Sequence, residues 1–95
     1  MTGEWLAVRV VVTGKVQGVG YRHWTNRRAS RDDLSGFVRN RSDGTVEAVF
    51  AGSRQQVEDM IARCRLGPQS AMVASVAVEP FAGEVPDGFR VLPTE

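Results

Sequence analysis

Residues Gly14 to Arg22 read GKVQGVGYR, with glycines at positions 14, 18 and 20 and an Arg at what reads as the first turn of a helix. Glycine opens backbone angles closed to other residues and lets another group come close to the main chain. Successive amide N–H groups in such a turn, joined by the free ones at a helix N-terminus, make a concavity suited to an anion. A cation such as Arg22 in the first helical turn faces the positive end of the helix dipole, at a cost of a few tenths of a kcal/mol. A bound anion reverses the sign of that cost. Arg also offers five donors in a rigid fork matched to phosphate oxygens. The same residues equally describe an ordinary glycine-rich loop with Arg22 reaching into solvent.

The other residue of interest is Asn40, at the end of a predicted strand. Its carbonyl oxygen can accept from a water and orient it without acting as a base. It can equally satisfy backbone groups of the turn that follows. A conventional nucleophile is missing: Ser30, Ser35 and Ser42 have no His and carboxylate at matching positions, and His23 is the only histidine. On a regular helix His23 points away from Arg22, which makes it a surface residue. One His, one Cys and the pair Asp32 and Asp33 do not form a metal ligand set. What remains is chemistry by anion binding and charge stabilisation, which suffices only for a bond that is already labile.

The elements that must hold these residues follow from periodicity. Trp5 to Thr13 alternates as a strand with Leu6, Val8, Val10 and Val12 on one face, and Ala7 and Val11 on the other make it central. Tyr21 to about Asp32 reads as a helix with Tyr21, Thr25, Ala29 and Trp24 inward. Leu34 to Asn40 is a second strand, with Phe37 and Arg39 on its outer face, and Asp43-Gly44 turns it into a partner over Thr45 to Ala51. Ser53 and Gln56 form a capping box for a helix carrying Val57, Met60, Ile61 and Cys64, stopped by Gly67 and Pro68. Ala71 to Glu79 is a strand whose apolar pattern slips by one residue, the mark of a bulge, and Phe89 to Leu92 is a short terminal strand.

This order predicts one domain over residues 1–95, a split βαββαβ arrangement with a single antiparallel sheet, two helices on one face and a short extra strand. The first strand becomes central through right-handed crossovers. With those strands antiparallel and the glycine loop curling back across the sheet, Asn40 is a neighbour of Arg22.

Composition narrows the classes. Hydrophobic residues are 42% and charged residues 24% of 95, which excludes a disordered chain, and no apolar run approaches the roughly 18 residues of a spanning helix. The opening MTGEWLAV lacks the basic and apolar regions of a secretory signal, so a cytoplasmic setting is expected. Cys64 stands alone, without an internal disulfide partner, and reads as a small core residue. The formal net charge of +1 conceals six arginines against Asp32 and Asp33 between Arg22 and Arg41. That excess steers a small anion, or nucleic acid.

GKVQGVGYR, then GFVRNRSDGTVEAVFAG from Gly36 to Gly52 and GPQSAMVASV from Gly67 to Val76, resembles the acylphosphatase family over nearly the whole chain. The resemblance implies a ferredoxin-like α/β sandwich that hydrolyses small-molecule acyl phosphates to a carboxylate and orthophosphate, without a metal or cofactor. It implies Arg22 as the catalytic Arg and Asn40 as the residue that holds the water. The phosphate-binding loop it implies comprises Lys15, Val16, Gln17, Gly18, Val19 and Gly20, running into Tyr21 and Arg22, with phosphate or sulfate as its site ligand. Tyr21 stands where Phe is common, and Phe37 stands where Trp is common and is expected to matter little. Asp32 and Asp33 stand where the family usually has a leucine and a glycine, so Asp33 is expected to strain the turn or lower stability. A monomer with no membrane or nucleic-acid partner is expected. The alternative is a catalytically inactive module that binds phosphate or nucleic acid. Against the nucleic-acid reading, Ala7, Arg9, Val11, Glu47, Val49 and Ala51 place no aromatic ring on the outer face of the first and third strands.

Overall fold

The computed structural model describes residues 5–95; residues 1–4 of the expected domain lie outside them. Seven elements follow in order: β1 (Trp5–Lys15), α1 (Tyr21–Arg31), β2 (Ser35–Asn40), β3 (Val46–Ser53), α2 (Arg54–Cys64), β4 (Met72–Pro80) and β5 (Phe89–Val91). The sheet order is β4-β1-β3-β2-β5. β1 therefore lies inside the sheet, paired antiparallel with β3 and β4. The predicted slip in β4 is present: Thr13 faces Ser75 and Gly14 faces Val73, leaving Ala74 as the extra residue of a bulge.

The core lies where the periodicity puts it. Val10 and Val12 of β1, with Val38, Val46, Ala48 and Phe50, meet Tyr21 and Ala29 of α1 and Val57, Met60 and Cys64 of α2. Thr25 is also fully buried, and its hydroxyl is satisfied by donating to the Tyr21 carbonyl at 2.8 Å. Both helices thus cover one face of the sheet.

One expectation needs correction. The sheet is not wholly antiparallel, because β5 pairs in parallel with β2, setting Gly36 against Phe89 and Val38 against Val91. The cause is the return path. β4 runs opposite to β1 and ends with Pro80 facing Val8. A chain that turns back there runs in the direction of β1 and β2. From β4 to β5 is four strand spacings, about 19 Å, which the eight residues 81–88 can span.

Phe37 also differs from expectation. It stands on the outer face as the alternation requires, but its ring packs edge-on to Phe81 at 6.4 Å, and the Arg39 guanidinium sits 5.4 Å above it. On that face Glu47 is only 5% exposed and accepts from both Arg9 and Arg39. Burial pushes the Glu47 carboxyl up, but the hydrogen bonds from Arg39 and Arg9 outweigh it and hold the group below the usual range. Arg9 and Arg39 are therefore engaged by carboxylates on this face.

Candidate active site

The two ends of the site meet because of strand direction. β1 and β2 both pair antiparallel with β3. They are therefore parallel to each other across it, and their C-terminal ends fall at the same end of the sheet. No loop need curl back across antiparallel strands, as the sequence reading required. The loop after β1 and Asn40 at the end of β2 arrive together by topology.

The loop itself is pinned at several points. Val16 is 1% exposed and Tyr21 is 2% exposed, both inside the core, and Val19 packs partly against it. Between them the Gln17 side chain donates to the carbonyls of Arg41 and Thr45 at 2.8 and 2.9 Å, fastening the loop to the β2–β3 turn. Gly18 and Gly20 stay exposed with φ of 74° and 82°. Beyond each there is open space for a Cβ. Their requirement for glycine is thus the left-handed backbone itself, which turns neighbouring N–H groups toward one side.

The two helices start differently. At α2 the box is complete, with the Gln56 amide donating to Ser53 Oγ at 3.2 Å and the Ser53 amide donating to Gln56 Oε1 at 2.9 Å. At α1 the N-cap is Gly20, with no side-chain cap and no acidic residue in the first turn. The first helical bond runs from the Trp24 amide to the Gly20 carbonyl. The amides of Tyr21, Arg22 and His23 thus point out of the helix start without intrahelical acceptors. A helix end left open beside a cationic side chain calls for an anion.

These groups line one cleft of about 350 Å³, formed by Val16, Gly18, Gly20, Tyr21, Arg22, His23, Asn40 and Val91. Arg22 is half-buried and has neither a carboxylate nor a hydrogen-bond partner among the described residues. Asn40 presents Oδ1, a buried acceptor with no partner among the described residues. Leaving such an atom unpaired costs about 1–3 kcal/mol, which a water held there would relieve. The main chain of Asn40 is fixed by antiparallel pairing with Val46 and by the Glu95 amide donating to its carbonyl at 3.1 Å.

Lys15, Gln17 and Val19 do not line the cleft. Lys15 is exposed at the end of β1, and Gln17 and Val19 secure the loop from behind. Sequence reasoning missed Val91, which reaches the cleft only through the parallel pairing of β5. It also set His23 aside, because 100° of helical rotation separates it from Arg22. The cleft wraps over the helix start and takes in both.

The Tyr21 side chain serves the frame. Its hydroxyl donates to the Cys64 carbonyl at 2.7 Å, tying the start of α1 to the end of α2, and burial pushes its pKa far up. Burial likewise pushes the Cys64 thiol up to about 12, so it stays protonated and inert.

The arrangement has counterparts among known proteins. A sequence model described as Acylphosphatase matches residues 8–91. An acylphosphatase of Rhizorhabdus wittichii is 52% identical over 89 residues, covering 94% of this chain and 90% of that protein. The solved structure of an acylphosphatase from Coxiella burnetii aligns with a TM-score of 0.88 at 35% identity, over 93% of each chain. That of acylphosphatase from Bacillus subtilis aligns with a TM-score of 0.87 at 30% identity, over 92% of this chain and 98% of that one. With sequence and backbone agreeing from β1 to β5, the chain belongs to the acylphosphatase family.

Proposed function

We propose that the cleft between Gly18 and Asn40 cleaves acyl phosphates by direct attack of water on phosphorus, with Arg22 and the loop amides holding the phosphoryl oxygens. As a member of its family the protein is a hydrolase of small-molecule acyl phosphates. The observation that carries the mechanism is the company Arg22 keeps: an unpaired guanidinium, an uncapped helix start and the orphaned Asn40 Oδ1 share one cleft.

Water accepted by Asn40 Oδ1 forms a bond to phosphorus as the bond to the carboxylate oxygen breaks on the far side. The electron pair leaves with the carboxylate, which needs no protonation, and the water proton passes to a phosphate oxygen of the substrate itself. Charge on the equatorial oxygens is met by donors already in place, so little reorganisation accompanies the reaction. Metal independence is part of this reading. A cytoplasmic monomer completes it.

Hydrolysis of benzoyl phosphate in 18O-labelled water, with and without chelator, tests the mechanism. The reading requires label in orthophosphate and an unchanged rate with chelator. Label in benzoate, or a rate abolished by chelation, contradicts it.

A further inference from the structure

A second cleft, of about 280 Å³, runs beside the first along α1 and is lined by Gly20, His23, Trp24, Arg27, Arg28 and Arg31. These positions recur at three and four residues, so they form one stripe on the exposed side of the helix. Gly20 and His23 belong to both clefts; Asn40 belongs only to the first.

The stripe concentrates positive charge, with Arg27, Arg28 and Arg31 around one cleft. Arg9, Arg39 and Arg54 each meet a carboxylate elsewhere in the molecule. Among the described residues Arg27 and Arg31 meet none, and Arg28 approaches Asp32 at 3.4 Å while its buried Nε makes no hydrogen bond. The C-terminal dipole of α1 accounts for basic residues at Arg28 and Arg31 in the last turn. It does not account for Arg27, nor for a concavity built around all three. Trp24, braced edge-on against Tyr21 at 5.4 Å, supplies an apolar wall between the cationic end of the stripe and the phosphate cleft.

Resting on the hydrolytic reading above, we propose that this cleft is a second anion site, which takes a carboxylate or phosphate carried on the acyl portion of the substrate. In-line displacement sends the leaving carboxylate away from the attacking water. With the water at Asn40, the acyl group extends from the phosphate cleft across Gly20 and His23, the residues shared with the second cleft. Five residues of helix separate Arg22 from Arg27 and nine separate it from Arg31, about 7.5 and 13.5 Å along the axis. An acyl phosphate with a second negative group on a short hydrocarbon spacer matches that spacing, its carbons lying on Trp24 and its far charge among Arg27, Arg28 and Arg31. The enzyme then favours acyl phosphates of diacids over those of simple carboxylic acids.

The test uses two non-hydrolysable ligands of equal length, 6-phosphonohexanoate and hexylphosphonate, titrated calorimetrically at low salt. The wild-type protein is expected to bind the first about three- to tenfold more tightly, the range of two partly exposed ion pairs. The doubly substituted Arg27→Gln/Arg31→Gln protein is expected to bring the ratio to about one, whereas Arg63→Gln/Arg65→Gln on α2 is expected to leave it in place. A wild-type ratio of one or less overturns the proposal, as does no measurable binding of 6-phosphonohexanoate. A ratio that survives the α1 substitutions, or falls equally with those on α2, overturns it too. Binding needs no turnover, so the two readings fail separately. A wild-type protein that leaves benzoyl phosphate intact but keeps the ratio loses the hydrolytic reading and retains the second anion site.

Discussion

Arg22 and Asn40 carry opposite liabilities that one ligand set relieves. The first is a cation at the positive end of a helix, and the second has an acceptor oxygen buried without a partner. An oxyanion answers the one and a water answers the other. Asn40→Ala removes the acceptor and leaves the loop amides and Arg22 in place, so kcat for benzoyl phosphate is expected to fall about 10²- to 10³-fold with KM changed little. A variant whose KM rises while kcat holds would show that Asn40 binds substrate and does not direct water. In the sequence both residues were visible as types at suggestive positions. What was not legible was the side-chain geometry: that Asn40 Oδ1 is buried and unpaired, and that Gln17 turns its amide toward the hairpin carbonyls instead of the site.

At the scale of elements, α1 differs from α2 at both ends. Its start is open where the anion is to sit. Its end closes with the Leu34 amide donating to the Ala29 carbonyl and the Asp33 amide donating to that of Ser30, which places Asp33 at φ 59°. This is a glycine-type helix closure occupied by aspartate, the strain that the sequence reading anticipated. Asp33→Gly is expected to stabilise the fold by about 1 kcal/mol, raising Tm by about 5 °C, since relief of the left-handed backbone exceeds the entropy lost by glycine. A thermal melt reads this directly, and an unchanged or lowered Tm removes the strain argument. The elements themselves were legible because alternation in β1 and the three-and-four spacing of Val57, Met60, Ile61 and Cys64 are strong signals. β5 was legible as a strand but not in its direction. Three residues carry no pattern that names a partner; Gly36 and Phe89 meet only because the chain returns across the sheet.

For the molecule as a whole, the two faces of the sheet are held by different forces. One is covered by the helices and the apolar core; the other is crossed by Arg9, Glu47 and Arg39, extended to Glu79 and Glu95 at its edges. Because the folded pKa of Glu47 is depressed, its contribution is fully present above the unfolded carboxylate value near 4.3 and is lost as pH falls through the folded one. Asp43, held below its usual range by the hydroxyl and amide of Thr45, acts in the same direction. Glu47→Gln is expected to cost about 2 kcal/mol at pH 7 and less at pH 3, below the unfolded carboxylate value, where protonation of the unfolded wild-type chain has already removed part of that advantage. Urea unfolding at the two pH values measures the difference; a penalty equal at both would place the effect in packing and not in charge.

The central claim is that catalysis rests on charge stabilisation by Arg22 and the open helix start, with no protein nucleophile or metal. Its most direct measurement is the turnover of benzoyl phosphate by Arg22→Ala beside the thermal melt of the same protein. Because Arg22 makes no hydrogen bond or ion pair with any described residue, the melt is expected to match that of the wild type, while kcat/KM falls about 10³-fold or more. Turnover within a few fold of wild type in a folded Arg22→Ala protein would contradict the account.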